Sequence, residues 1–194
     1  MNKIKYENTF GPIFMPVTLI GANIGNSPNF FTCALITKVQ LTPAIWAFAA
    51  SVNRYSIEGI RENKTFSINF PSIDQMAKTD YCGIVSGKQE DKSKVFDVFY
   101  GDLKTAPMIK ECPICMELSL WEIKNLPNQL LVFGEVNNIY VEDKYLTDGR
   151  LDIEKVNPFV LTSPDSNYRT IGEIKAKAWN VGNAQRWTKN AVKD

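Results

Sequence analysis

The sequence predicts a mainly β fold with a few short helices. Three observations carry that prediction. Apolar runs of strand length recur along the chain, bounded by Pro, Gly, Asn and Asp. Residues 114–121 alternate with period two, placing Met116, Leu118 and Leu120 on one face. Helical spacing is confined to short segments. A β-rich core with three or four small helices at its ends follows, and closing the sheet on itself would deal with its edges.

The elements follow in order. Residues 17–22 form a strand after a ragged N-terminus, with Val17, Thr18, Leu19 and Ile20 favouring extended backbone and Gly21 marking a bend or a close approach. Asn23-Ile24-Gly25-Asn26-Ser27-Pro28-Asn29 has turn composition throughout. Residues 30–39 read as a second strand. Pro43 precedes residues 44–49, which are apolar on both faces and hence central. Residues 54–62 read as a helix on the spacing of Ile57 and Ile60, with Asn53 as N-cap and Asn63 as its stop. Residues 65–70 are another strand, ended by Pro71.

Ser72-Ile73-Asp74-Gln75 is a capping box opening a short helix, with Ile73, Met76 and Ala77 as its apolar face and Gly83 just past its end. After a polar loop over 86–90, Asp91 reads as the cap of a helix carrying Val95, Phe96 and Phe99. Residues 130–136 continue the β pattern until Asn137 and Asn138 interrupt it, a bulge or corner before Ile139-Tyr140-Val141. Asp148-Gly149 is a turn, residues 159–161 a last short strand, and residues 171–178 a short helix ending near Gly182. The tail 183–194 is polar apart from Trp187.

Composition bounds the function. Lys plus Arg total 22 against 21 Asp plus Glu, a formal charge of +1, which is not the field of a protein that binds nucleic acid by general electrostatics. The absence of histidine removes the Ser-His-Asp triad, the Cys-His pair and every imidazole metal site. Four cysteines in 194 residues are too few for a disulfide scaffold. No apolar run is long enough to span a bilayer, and Pro12 and Pro16 argue against a signal peptide, so a reduced, cytoplasmic protein is expected.

Four constellations carry chemistry. Cys112-Pro113-Ile114-Cys115 has dithiol spacing but leads into a strand, where side chains three apart point to opposite faces; the bland reading is two ordinary buried cysteines. A zinc site there would have to recruit Cys33 and Cys82. Ser51, Asn53, Arg54, Tyr55 and Ser56, where a central strand meets a helix, make either a phosphate cradle or a capped helix with a solvated arginine. Ser86-Gly87-Lys88 with Asp91 and Lys92 is either a second anion contact or a solvated turn, and it lacks the Walker A pattern. Asn29-Phe30-Phe31-Thr32-Cys33-Ala34 suits the edge of a flat heteroaromatic ring or simply starts a strand. None of these supplies a catalytic base, an acid pair or a metal, so any chemistry would belong to a bound cofactor.

Taken in order, these segments resemble the flavin-reductase-like, FMN-binding split-barrel proteins, and in particular their flavoredoxin-type branch. The matching stretches are Pro16 to Ile20, Asn29 through Ala34, Ser51-Val52-Asn53-Arg54-Tyr55-Ser56 with Ile60 and Glu62-Asn63, Phe66 to Pro71, Ser86-Gly87 with Asp91-Lys92, Pro107 through Glu111-Cys112, Phe133-Gly134-Glu135-Val136, and Tyr168 with Ile171-Gly172. The resemblance implies an FMN-binding split β-barrel domain over residues 12–180, followed by a C-terminal extension, 181–194. It implies a homodimer holding FMN near its interface. Asn29, Thr32, Cys33 and Ala34 match the segment that meets the isoalloxazine ring. Ser51, Val52, Asn53 and Ser56 match the phosphate and ribityl segment, with Arg54 either a phosphate partner or a surface ion pair. Ser86, Gly87 and Lys92 match a second phosphate loop, and Tyr168 an aromatic beside the flavin.

The activity so implied is an NAD(P)H-dependent flavin reductase with no catalytic side chain of its own and no metal. The alternatives are a flavoredoxin-type carrier with tightly bound FMN and a protein acceptor, and a non-catalytic binding protein. NADH or NADPH is the expected donor and a flavin or redox protein the acceptor, with neither nucleic acid nor membrane as partner.

Overall fold

The computed structural model describes residues 2–7 and 13–184. Its strands are β1 (Ile13–Pro16), β2 (Thr18–Ile24), β3 (Ser27–Cys33), β4 (Ile36–Gln40), β5 (Ile45–Ser51), β6 (Thr65–Phe70), β7 (Val98–Phe99), β8 (Met108–Ile109), β9 (Ile114–Asn125), β10 (Gln129–Val141), β11 (Leu146–Thr147), β12 (Arg150–Leu151), β13 (Phe159–Ser163) and β14 (Asn167–Thr170). Three helices join them: α1 (Ser56–Asn63), α2 (Met76–Ile84) and α3 (Ile153–Val156). None is long and apolar enough to cross a membrane. The fold is mainly β, as expected.

Seven strands form one sheet in the order β3-β2-β6-β9-β10-β5-β4, every pair antiparallel. Its two edges, β3 and β4, are consecutive in the chain, with only Ala34 and Leu35 between them. In a flat sheet those edges would stand roughly 29 Å apart, at about 4.8 Å per strand spacing. The backbone from Cys33 to Ile36 reaches at most about 11 Å. The sheet therefore curls until its edges meet. At the join there is no full ladder: the Ala49 amide of β5 donates to the Leu35 carbonyl of the link at 2.8 Å, and the Cys33 thiol at the end of β3 lies 3.6 Å from the Ala49 carbonyl. This is a split barrel.

Inside it, Phe48, Phe66, Ile20, Ile68 and Leu118 are fully buried, with Phe48 and Phe66 edge to face at 5.4 Å. A second apolar cluster between the sheet and α2 holds Leu19, Phe30, Phe96, Met108 and three of the cysteines. A smaller sheet, β1-β13-β14, supplies the outer wall of the site described below.

Several expectations are confirmed. The capping box is present, with the Ser72 hydroxyl accepting from the Asp74 amide. The bulge falls between Val136 and Asn138, where Asn137 Oδ1 accepts from the Ser119 amide at 2.8 Å and fills the gap in the ladder. Asp148-Gly149 turns β11 into β12 with both residues at positive φ. At Gly21 a Cβ would lie 2.4 Å from Ser67 Oγ, so the close approach is real.

Others are corrected. The stretch from Asn23 to Asn29 is not a loop: β2 and β3 pair from Ile24 and Ser27 outward, leaving Gly25 and Asn26 as a two-residue hairpin turn. Residues 30–39 are two strands, broken at Ala34-Leu35 where the sheet changes edge. Asn53 does not cap α1. The helix starts at Ser56 with Tyr55 before it, and the first turn is wound by backbone bonds from Ile57 to Arg54 and from Glu58 to Tyr55. Gly83 lies within α2, whose buried residues are Thr79 and Cys82 rather than Ile73, Met76 and Ala77. No helix follows Asp91. Its carboxylate accepts from the Ser93 amide to close a local turn, Lys92 points inward, and β7 pairs with β8.

Residues 171–178 are not helical either. Ile171 and Ile174 are exposed, so the amphipathic pattern buries little, and a segment of that length gains too little from local bonds alone to form a helix. Cys112 sits at a bend just before β9, so it and Cys115 enter the same cluster rather than opposite faces. Trp187 and most of the 181–194 extension lie outside the described residues.

Candidate functional site

Where β3 runs out into Ala34-Leu35 and β5 ends at Ser51, the split in the barrel leaves a slot of about 430 Å³. One wall is β3 and its continuation: Phe31, Thr32, Cys33, Ala34 and Leu35. Ala49, Ala50, Ser51 and Gln129 form the floor. Ile13 and Met15 of β1 with Leu161 and Thr162 of β13 form the opposite side. The Thr32 hydroxyl is turned away, donating to the Thr79 carbonyl. The Cys33 thiol is spent on the Leu35 and Ala49 carbonyls, and burial pushes its pKa up to about 12. It holds the split together as a neutral donor.

At Phe31, Ser51 and Arg54 the slot adjoins a polar hollow of about 310 Å³. Asn29, Asn53, Ser56, Ser86, Gly87 and Lys92 line it, with no Asp or Glu among its lining residues. Its geometry is tightly determined. Asn29 donates to the Ser56 hydroxyl at 2.7 Å. A Cβ on Gly87 would stand 2.4 Å from Asn29 Oδ1, so only glycine lets the loop backbone come this close. The Ser51 hydroxyl accepts from the Asn53 amide at 3.4 Å and that of Ser86 from the Lys88 amide at 3.3 Å. Both hydroxyl hydrogens therefore remain free to donate.

The two cations of the hollow rest on the C-terminal carbonyls of α2. Lys92 is 2% exposed, and its ammonium donates to the Cys82 carbonyl at 3.2 Å and the Val85 carbonyl at 3.1 Å. Both terminal guanidinium nitrogens of Arg54 lie 3.4 Å from the Gly83 carbonyl, and the guanidinium carbon sits 5.5 Å from the Phe31 ring centre. The negative end of the helix dipole favours both. Neither forms an ion pair with a carboxylate among the described residues. Arg54 is thus not a surface ion pair. Burial holds the Lys92 pKa below its ordinary value. A buried ammonium bonded to two carbonyls and ion-paired to no carboxylate is costly, and an anionic ligand would offset that cost.

The other thiols take no part. Burial raises Cys82 to about 11, Cys115 to about 12 and Cys112 well above its ordinary value, so all stay protonated at neutral pH. No metal-binding cluster exists among the described residues, and Cys33 sits in a different apolar cluster from the other three.

The structure thus brings together Asn29, Thr32, Cys33, Ala34, Ser51, Asn53, Arg54, Ser56, Ser86, Gly87 and Lys92. It leaves two residues apart. Val52 is half exposed in the turn after β5, and Tyr168 packs edge to face on Phe159 while donating to Asp80 at 2.7 Å. Burial, with the Asp80 carboxylate, raises Tyr168 to about 12. Sequence reasoning missed Ile13, Met15, Gln129 and the β13 wall, which reach the slot only through pairing between distant strands. It also missed Phe31 as the support of Arg54, although that residue stood inside a segment already singled out.

Comparisons with known proteins agree with this architecture. The flavin reductase like domain matches residues 10–171. A flavoredoxin from Methanosarcina acetivorans is 41% identical, with a TM-score of 0.90 over 95% of this chain and 99% of that one. The flavoredoxin of Desulfovibrio vulgaris (Miyazaki F) is 29% identical, with a TM-score of 0.85 over 94% and 100%. An uncharacterised protein of Aeropyrum pernix is 25% identical over 63% of this chain and 48% of its own, so the chain spans about half the length of that curated relative. A split barrel with an acid-free polar hollow at its seam, matched along most of its length, belongs to the flavin reductase-like family, on its flavoredoxin branch.

Proposed function

We propose that this chain holds FMN non-covalently, its phosphate in the Lys92–Arg54 hollow and its ring in the slot, and that it works as a flavoredoxin-type electron-transfer protein reduced by NADH or NADPH. The observation that carries this reading is a buried lysine and a stacked arginine without carboxylate partners, in a hollow that shares three residues with an apolar slot. Bound FMN supplies an acceptor for the hydride of a reduced nicotinamide and a donor to the next carrier. Lys92 and Arg54 supply charge for a phosphate dianion, and the Ser51 and Ser86 hydroxyls donate to it. The Asn29–Ser56 bond fixes one side of the cradle, and Phe31 with the small residues Ala34, Ala49 and Ala50 makes room for a flat ring.

The loop over the hollow is held at two points, by Lys88 to Glu58 at 2.9 Å and by the Tyr81 hydroxyl to Glu90. That favours retention of the cofactor over its exchange. A reductase that turns over free FMN uses the same residues and is the second reading. A second copy of the chain is the proposed partner, docking against the exposed Leu35, Val39 and Leu41. Purification should yield a yellow protein whose flavin absorbance bleaches on anaerobic addition of NADH or NADPH. Steady-state turnover that rises with added free FMN would instead favour the reductase. A colourless protein that takes up no FMN would refute both.

A further inference from the structure

The walls of the polar hollow differ in stiffness. Asn29 belongs to β3, and Ser56 to α1, whose inner residues Ser56, Ile57, Gly59 and Ile60 are buried. The remaining wall is a strap, residues 86–91, running from the end of α2 to the buried Lys92 and bringing Ser86 and Gly87 to the hollow. The strap is wound on itself. The Gln89 and Glu90 amides donate to the Ser86 carbonyl at 2.9 and 3.0 Å, and the Asp91 carboxylate accepts from the Ser93 amide. Those bonds make it one unit without fastening it to the helices beside it.

Two side-chain ties do that. Lys88 Nζ lies 2.9 Å from Glu58 Oε1 on α1 and 5.5 Å from the Tyr55 ring centre. The Tyr81 hydroxyl, on α2, donates to Glu90. Lys88, Glu58, Tyr81 and Glu90 are all exposed, and ties between exposed groups are weak enough to open and reform. Behind the strap there is room for it to move. A second hollow of about 300 Å³ lies between the strap and Ile24, Ser27 and Pro28 of the β2–β3 hairpin, and Gly87 lines both hollows. The strap is therefore a partition: a swing into the outer hollow, about the Lys92 anchor, widens the inner one.

We propose that this strap is the gate by which FMN enters and leaves, and that the Lys88–Glu58 and Tyr81–Glu90 ties set the rate of exchange rather than the affinity. The inference rests on the phosphate of FMN lying in the Lys92–Arg54 hollow. Ties that hold the strap shut with the ligand in or out slow both directions alike, so their strength decides between a retained cofactor and an exchanging flavin. The test uses Glu58→Gln and Tyr81→Phe, singly and combined. Each removes one tie and leaves every residue lining the hollow and the slot in place. Stopped-flow flavin fluorescence of the full apo chain mixed with FMN gives kon, and loss of radiolabelled FMN to excess unlabelled FMN gives koff. Each single variant should raise kon and koff together by about threefold and the combined variant by about tenfold, with Kd within about twofold of wild type. Rates unchanged in the combined variant, or koff rising alone with a matching loss of affinity, would overturn the gate. A wild-type chain that takes up no FMN would remove the parent reading, and this one with it.

Discussion

Replacing Lys92 with Met separates what the lysine does for a ligand from what it does for the fold. Methionine keeps the length of the buried stem and removes the charge. A charge-assisted hydrogen bond to a phosphate contributes about 1.5–3 kcal/mol, so FMN affinity should fall roughly 10- to 150-fold. Riboflavin, which lacks the phosphate, should bind the variant as it binds the wild type. The apo protein should behave oppositely. The Cys82 and Val85 carbonyls lose their donor at a cost of about 1–3 kcal/mol, but an ammonium that is 2% exposed no longer has to be desolvated, which saves several kcal/mol. Apo stability should therefore be unchanged or raised.

The pH dependence has a definite sign. Burial holds the folded-state pKa of Lys92 below the ordinary 10.5, so the unfolded chain binds this proton more tightly. The destabilisation is present in full below the folded pKa and fades as pH rises through the window up to 10.5. Relative to Lys92→Met, wild-type apoprotein should thus gain stability across that alkaline window while its FMN affinity declines. Fluorescence titrations with FMN and riboflavin, with thermal melts from neutral to alkaline pH, measure all of this. Unchanged FMN affinity, or equal weakening of FMN and riboflavin, would refute the phosphate assignment.

Three further outcomes are expected. Gly87→Ala places a Cβ against Asn29 Oδ1 and should disturb the Asn29–Ser56 bond, weakening FMN by about tenfold in the same titration while circular dichroism shows the fold kept. Tyr168→Phe loses the bond to Asp80 and should cost about 0.5–1.5 kcal/mol in denaturant unfolding, with FMN affinity unchanged; a loss of affinity would restore the flavin-side role that resemblance assigns to this residue. Cys112→Ser with Cys115→Ser should leave anaerobic flavin reduction by NADH or NADPH intact, because both thiols are protonated and buried outside the slot; loss of reduction in a folded double variant would revive a thiol relay.

Much of the fold was legible in the sequence because short-range chemistry reports it. Period-two alternation marked β9, the Asn137 interruption marked the bulge in β10, and the Ser72–Gln75 box marked a helix start. The same local reading failed wherever tertiary context outweighed propensity. Turn-rich residues 23–29 became strand because the β2–β3 ladder runs almost to the hairpin tip. The helix expected after Asp91 lost to the burial of Lys92 and the pairing of β7 with β8. Residues 171–178 stayed unwound with their isoleucines exposed.

The site divides in the same way. Composition alone excluded histidine chemistry and nucleic-acid electrostatics, and the polar segments around Asn29, Ser51 and Ser86 were visible as candidates. Those are properties of residue type and near spacing. Only the folded chain shows that the three segments face one hollow, since that depends on a two-residue link forcing the sheet edges together. Only the folded chain shows Lys92 buried on α2 carbonyls with no ion-paired acid, because burial and pairing depend on how the chain packs rather than on residue type. A linear sequence carries the donors; long-range pairing decides which of them converge and which charge is left for a ligand to neutralise.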